Sequence, residues 1–206
     1  MASNRRQHIV RVASGLIHVS GYHSTSLDAI LQTSGVKKGN FYFYFRSKEE
    51  LGFAVISHQV EIFRQEHLAP ILSSPLGPLE KLGKILDALL EEQSRAKCRG
   101  GCPFGNMALE LSDTHEGFRA QLQHVFGEMS DLFCGLLRQA SSELREGTDF
   151  EEVSQFIVAS VEGAIMLSKV HKGIAPMQRC IRQLKSHLDS LRRPAGPPAR
   201  EGALLP

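Results

Sequence analysis

Between residues 115 and 145, Phe118, Leu122, Val125, Phe126, Met129, Leu132, Phe133, Leu136, Leu137 and Leu144 recur mostly three or four positions apart. That spacing gathers the apolar side chains on one stripe of a helix, whereas a strand would scatter them over both faces. The same period marks Ile9, Val12, Ala13, Leu16 and Ile17 near the start, and Leu79, Leu82, Ile85, Leu86, Leu89 and Leu90 further on. No convincing run of period-two alternation interrupts it, so the chain is expected to be all-α. Its 206 residues suit one or two domains with a real core.

Punctuation divides the helices. The first covers about 4–20 and stops at Gly21. Ser24, Thr25 and Ser26 offer N-caps for a second, which buries Leu27, Ile30 and Leu31. Ser34-Gly35-Val36 is a tight turn into a third helix over 36–43. Ser47 with Glu50 is a capping box for a fourth, running to about 69 before Pro70, Pro75 and Pro78. Residues 79–94 form a helix, Cys98–Pro103 a loop, and Pro103 opens a short helix. The long helix 115–145 and two more, about 150–171 and 176–192, complete the set. This predicts a helix-turn-helix domain over 1–48, a larger helical domain over 49–193, and a Pro/Gly-rich tail over 194–206 that is expected to be disordered.

The net charge of +2 is uninformative until it is divided. Residues 1–48 hold seven basic residues (Arg5, Arg6, Arg11, Lys37, Lys38, Arg46, Lys48) against Asp28 alone, giving +6 and leaving −4 for the remainder. A basic head on a mildly acidic body is the asymmetry of a protein that meets a polyanion with one end. No apolar signal core and no stretch of eighteen apolar residues is evident, so a cytoplasmic protein without membrane contact is expected. The four cysteines are then expected as thiols. No cofactor or metal is implied: Cys98 and Cys102 with His115 lack the closely spaced, doubled pattern of a zinc site.

Helix, glycine-containing turn, helix is the layout whose second helix enters the major groove of double-stranded DNA. Thr25 or Ser26, with the free amides opening the second helix, is placed to hold a phosphate. Lys37, Lys38 and Asn40 are candidates for base or phosphate contact. Tyr42 and Tyr44 carry hydroxyls that reach phosphates, Lys48 opens the fourth helix beside the same strand, and Gly39 permits close approach. Phe41 and Phe45 are expected in the core, and Phe43 fits either role.

Thr25, Ile30, Gly35, Val36, Gly39, Phe41, Tyr42, Tyr44, Phe45, Lys48 and Leu51 make residues 25–51 resemble the TetR family of one-component transcriptional regulators. Leu31, Ser34 and Lys37 depart from the family pattern, which bears on operator sequence rather than fold. The resemblance implies a homodimer formed through the last two helices, a palindromic operator, and repression relieved by a small-molecule effector. Phe156, Ile157, Val161, Ala164, Ile165, Ile181, Leu184, Leu188 and Leu191 are the expected interface. The effector pocket is expected among the middle helices, with Phe63, Leu86, Phe104, Met107, Leu111, Phe126, Met129 and Phe133 as candidate lining.

Cys102 follows two glycines at the threshold of a helix, beside Lys97 and Arg99, a setting that lowers a thiol's pKa. The segment Gly100–Asp113 resembles a TetR branch that includes electrophile- and oxidant-responsive (NemR-like) repressors, and Lys169 resembles a basic residue of that branch. A regulatory thiol and an inert buried one are both open at Cys102, whereas Cys134 and Cys180 lie in apolar stripes. Two other classes compete with a DNA-binding regulator. A cysteine enzyme would pair Cys102 with His115 or His124, and a helical adaptor would leave the Lys37–Lys48 cluster without purpose.

Overall fold

The computed structural model describes residues 2–194, with side chains from residue 4; most of the 194–206 tail lies outside the described residues. Its elements are helical throughout, and the nearest thing to a sheet among the described residues is one isolated bridge, Leu144 with Arg192. In chain order they are α1 (Ala2–Ser20), α2 (Leu27–Ser34), α3 (Lys38–Tyr44), α4 (Lys48–Ile62), α5 (Ala69–Leu72), α6 (Pro78–Arg95), α7 (Pro103–Leu111), α8 (Glu116–Gln139), α9 (Phe150–His171) and α10 (Ala175–Ser190).

Local signals account for most boundaries. Ser26 caps α2 by accepting from the Ala29 amide at 3.1 Å. Ser47 caps α4 by accepting from the Glu50 amide, but the Glu50 carboxylate reaches back to the Arg46 amide rather than to Ser47, so the capping box is offset by one residue. α8 ends at Gln139, and Leu144 lies beyond a short 3₁₀ turn although it is buried as expected.

Pro70 does not end the fourth helix. Between α4 and α5 the chain widens into a π-helical turn over Phe63–Leu68, and helical structure continues to Leu72. Proline lacks an N–H and its ring presses on the preceding turn; a widened turn is one way to admit it without a break. The turn also carries Phe63, Glu66 and His67 into a cavity wall.

Two apolar cores divide the helices. One joins α1–α4 to α7 and the first half of α8, through Ile9, Ile30, Phe41, Phe45, Leu51, Phe104, Met107, Leu111, Phe118 and Leu122. The other joins α6, the second half of α8, α9 and α10, through Leu82, Leu86, Phe133, Leu137, Ile157, Val161, Ile165, Ile181 and Leu184. Packing therefore crosses residue 48 without a seam. α9 is long and apolar enough by composition to cross a membrane, with a mean hydropathy of 1.3, which corrects the expectation that no stretch is. Its inner face packs on α8 and α10.

Candidate nucleic-acid interface and effector cavity

The turn between α2 and α3 is set by Gly35, whose φ of +65° closes α2, while the amide of Val36 bonds the carbonyl of Leu31 at 3.2 Å. α3 then points its polar residues outward. Lys37, Lys38, Gly39 and Asn40 are exposed, Tyr42 is 50% exposed, and Tyr44 is half-buried. Phe41 and Phe45 fill the core beneath, and the Arg6 guanidinium stacks 4.7 Å over the Phe45 ring. Phe43 is 77% exposed on the same outward surface, which answers the question its sequence left open.

Two expected phosphate ligands make hydrogen bonds within the chain. Thr25 is buried and its hydroxyl donates to the Gly21 carbonyl at 2.7 Å, so Ser26, which is exposed, is the residue at the helix start that is open to a ligand. The Lys48 ammonium donates to the Tyr22 carbonyl at 2.6 Å and lies 4.3 Å from the Tyr22 ring centroid. Burial lowers its pKa from the usual lysine value, with Glu110 opposing. Lys48 thus holds the α1–α2 turn in this conformation.

That turn is also held from the body. Glu110, near the end of α7, accepts from the amides of Tyr22 at 2.8 Å and His23 at 2.6 Å. Gly21 permits it: φ is +86°, and a Cβ there would stand 3.1 Å from the Glu110 carboxylate. Burial, with Glu49 and Glu110 adding to it, raises the Tyr22 phenol to about 12. A second tie lies at the other end of α7, where His18 on α1 bonds the Gly101 carbonyl at 2.9 Å.

A cavity of about 190 Å³ opens between the two cores. Phe63, Phe104, Met129 and Phe133 line it, as expected from the sequence; Met107 borders a smaller neighbouring space and Phe126 an outer groove. Sequence reasoning missed Gln93 and Glu162. Glu162 was legible as a lone carboxylate between Val161 and Ile165 on an otherwise apolar stripe.

Cys102 borders the cavity and caps α7, its sulfur accepting from the Gly105 amide at 3.4 Å. Its pKa is nevertheless pushed well above the usual thiol value, first by burial and then by the Glu162 carboxylate beside it. The helix-terminal amides act in the lowering direction but are outweighed, and Lys97 and Arg99 point to solvent. Of the two readings open at Cys102, these influences act against a reactive thiolate. Neither His115 nor His124 lines the cavity; His115 packs edge-on against Phe118, and His124 is exposed near Glu128. Lys169 bonds Asn106 at 3.2 Å and borders the outer groove.

Residues 9–55 match the family of bacterial regulatory proteins called tetR, and residues 78–184 match the tetracyclin repressor-like C-terminal domain. The chain belongs to the TetR family. Another such protein, a helix-turn-helix-type transcriptional regulator encoded in the lacX 3′ region of Lactococcus lactis subsp. lactis, is 30% identical over 188 residues, spanning 91% of this chain and 95% of its own. The crystal structure of a TetR regulator from Chloroflexus aurantiacus J-10-FL superposes with a TM-score of 0.86 at 28% identity, covering 94% of this chain and 98% of that one. The Escherichia coli repressor NemR is 25% identical over 188 residues, 88% of this chain and 92% of its own. These relatives are transcriptional regulators rather than enzymes, and the head of a TetR protein is a DNA-binding helix-turn-helix.

Most of the expected dimer face is internal in this chain. Ile157, Val161, Ala164, Ile165, Ile181, Leu184 and Leu188 are buried within the second core, because the apolar stripes of α9 and α10 meet each other and α8. Of that set Phe156 is exposed, and it is joined on α9 by exposed Met166, Leu167 and Val170.

Proposed function

We propose that the protein is a dimeric TetR-family repressor that releases a palindromic operator when a small, largely apolar ligand enters the cavity between the two cores. The observation that carries this reading is α7: its start forms cavity wall through Cys102 and Phe104, and its end holds the α1–α2 turn through Glu110. A ligand that shifts α7 by a fraction of a turn changes the angle of the head, and with it the separation of two heads in a dimer. A released conformation needs only to bind the ligand more tightly than the DNA-bound one.

Lys37, Lys38, Asn40, Tyr42 and Tyr44 of α3, with Ser26 at the start of α2, contact the operator, and Phe43 packs against the sugar-phosphate wall or a thymine methyl. Exposed Phe156, Met166, Leu167 and Val170 supply the apolar surface a second copy covers. Two-fold symmetry then sets half-sites about 34 Å apart. The protein acts in the cytoplasm, where its operator lies. Cys102 serves as cavity wall, so the reading favours a non-covalent ligand over the thiol chemistry of the electrophile-responsive branch.

DNA selected by the purified protein from sheared genomic fragments gives the operator. Affinity for it should fall steeply with salt, with a slope near −0.9 per phosphate neutralised; no binding at low salt overturns the DNA assignment. A Cys102→Ser variant should still release DNA with the effector. Loss of release in that variant alone returns the mechanism to the thiol.

A further inference from the structure

The cavity lining holds three carboxylates and two histidines, His18 and His67. Glu66, Glu92 and Glu162 border it, and no lysine or arginine among the described residues does. The three differ in freedom: Glu66 is exposed at the mouth, while Glu92 is shared with Arg95 at 3.3 Å and His67 at 3.9 Å. Glu162 projects from the apolar inner face of α9 and touches only the Cys102 thiol among polar side chains that shift it. Burial raises its pKa from the usual carboxylate range. Room for its carboxyl comes from Gly105, where any Cβ would overlap Glu162 Oε2.

An independent mark lies in another wall. Gln93 is only 8% exposed, borders the same cavity, and its Oε1 has no hydrogen-bond partner. A buried acceptor without a partner is destabilising unless a ligand or water donates to it. An amide can turn either end to a ligand, so Gln93 marks where a polar head docks and the carboxylates decide its sign. Phe63, Phe104, Met129 and Phe133 fix the remainder as apolar and aromatic. A dry cavity of about 150 Å³ accepts benzene, so about 190 Å³ admits one ring and a short arm.

We infer that the effector is a compact organic ammonium, one aromatic or aliphatic ring carrying a protonated amine, whose head is received by Glu162 and the Gln93 carboxamide while its ring packs among the phenylalanines. The inference rests on the cavity being the effector site. An arriving cation replaces the thiol as partner to a carboxylate that is otherwise poorly solvated, and loosens Cys102, the N-cap of the α7 lever.

Calorimetric titration of the full chain near neutral pH with benzylamine, benzyl alcohol, ethylbenzene and benzoate tests it. Benzylamine should bind at least about tenfold more tightly than ethylbenzene, with benzoate weakest. Glu162→Gln should erase the advantage of benzylamine over benzyl alcohol and leave ethylbenzene unchanged, and Gln93→Met should weaken both polar ligands. If Glu162→Gln does not fold by circular dichroism, the ranking on the native chain decides alone. Ethylbenzene or benzoate binding as tightly as benzylamine overturns the inference and leaves the cavity reading intact. No binding by any of the four removes both.

Discussion

Replacing Glu110 by alanine should uncouple the DNA-binding head from the body. The carboxylate accepts two backbone hydrogen bonds, from Tyr22 at 2.8 Å and His23 at 2.6 Å, and the second lies at an exposed position. Bonds to a charged group contribute roughly 1.5–3 kcal/mol each when shielded. Water replaces the partner at the exposed amide, so the pair together amounts to about 2 kcal/mol. For a chain of this size that lowers Tm by about 4–8 °C at fixed protein concentration. Locally the same energy is about a thirtyfold change in an opening equilibrium. Hydrogen exchange by mass spectrometry should therefore show the Tyr22–Ser24 segment exchanging about thirtyfold faster, with the α9–α10 segments unchanged. Glu110→Gln keeps one acceptor oxygen and should fall between. Effector-dependent release of DNA should shrink in step with the loss of protection. Unchanged exchange at Tyr22, or full release by an effector in Glu110→Ala, would refute α7 as the connection.

Gly52 tests the junction of α4 with α8, since a Cβ there would lie 2.7 Å from Phe118 Cζ and 2.9 Å from Tyr22 Cε2. Two interlocked rings cannot yield cheaply, so Gly52→Ala should cost about 1–3 kcal/mol despite its better helix propensity, read as a lower urea midpoint. Lys38→Ala should flatten the slope of log affinity against log salt by about one phosphate contact, while Tyr42→Phe weakens operator binding without changing the helical signal. Met166→Asp with Val170→Asp should shift sedimentation from dimer to monomer and abolish tight operator binding together. Because the Cys102 pKa is raised, iodoacetamide should alkylate Cys102 more slowly than a free peptide thiol at mildly alkaline pH, the gap closing only at strongly alkaline pH.

Short-range chemistry was legible in the chain and long-range pairing was not. Ser26, Gly35 and Ser47 act through neighbours within three or four residues, so their roles as caps and turn were readable directly. Phe41 and Phe45 followed from helical spacing in the same way. The bond from Lys48 to the Tyr22 carbonyl was not legible, because that partner lies 26 residues earlier and leaves no local trace. The interface residues on α9 and α10 failed for a related reason. An apolar stripe shows that a face is covered, but not whether the cover is the same chain or a second copy. The stripe through Ile157, Val161 and Ile165 is covered by α8 and α10.

Cys102 shows how a correct local rule can be outweighed. The helix-start amides do reach its sulfur and act to lower the pKa. Burial exceeds them, and Glu162, sixty residues along the chain, supplies a negative charge where Lys97 and Arg99 supply none. The same contact explains why the glycines around the cysteine matter. Gly100 lets the backbone pass His18, Gly101 lets it pass Lys169, and Gly105 leaves space for the Glu162 carboxylate beside the thiol. A motif that reads as a reactive thiol in isolation is, in this packing, the N-cap of a helix whose far end holds the α1–α2 turn.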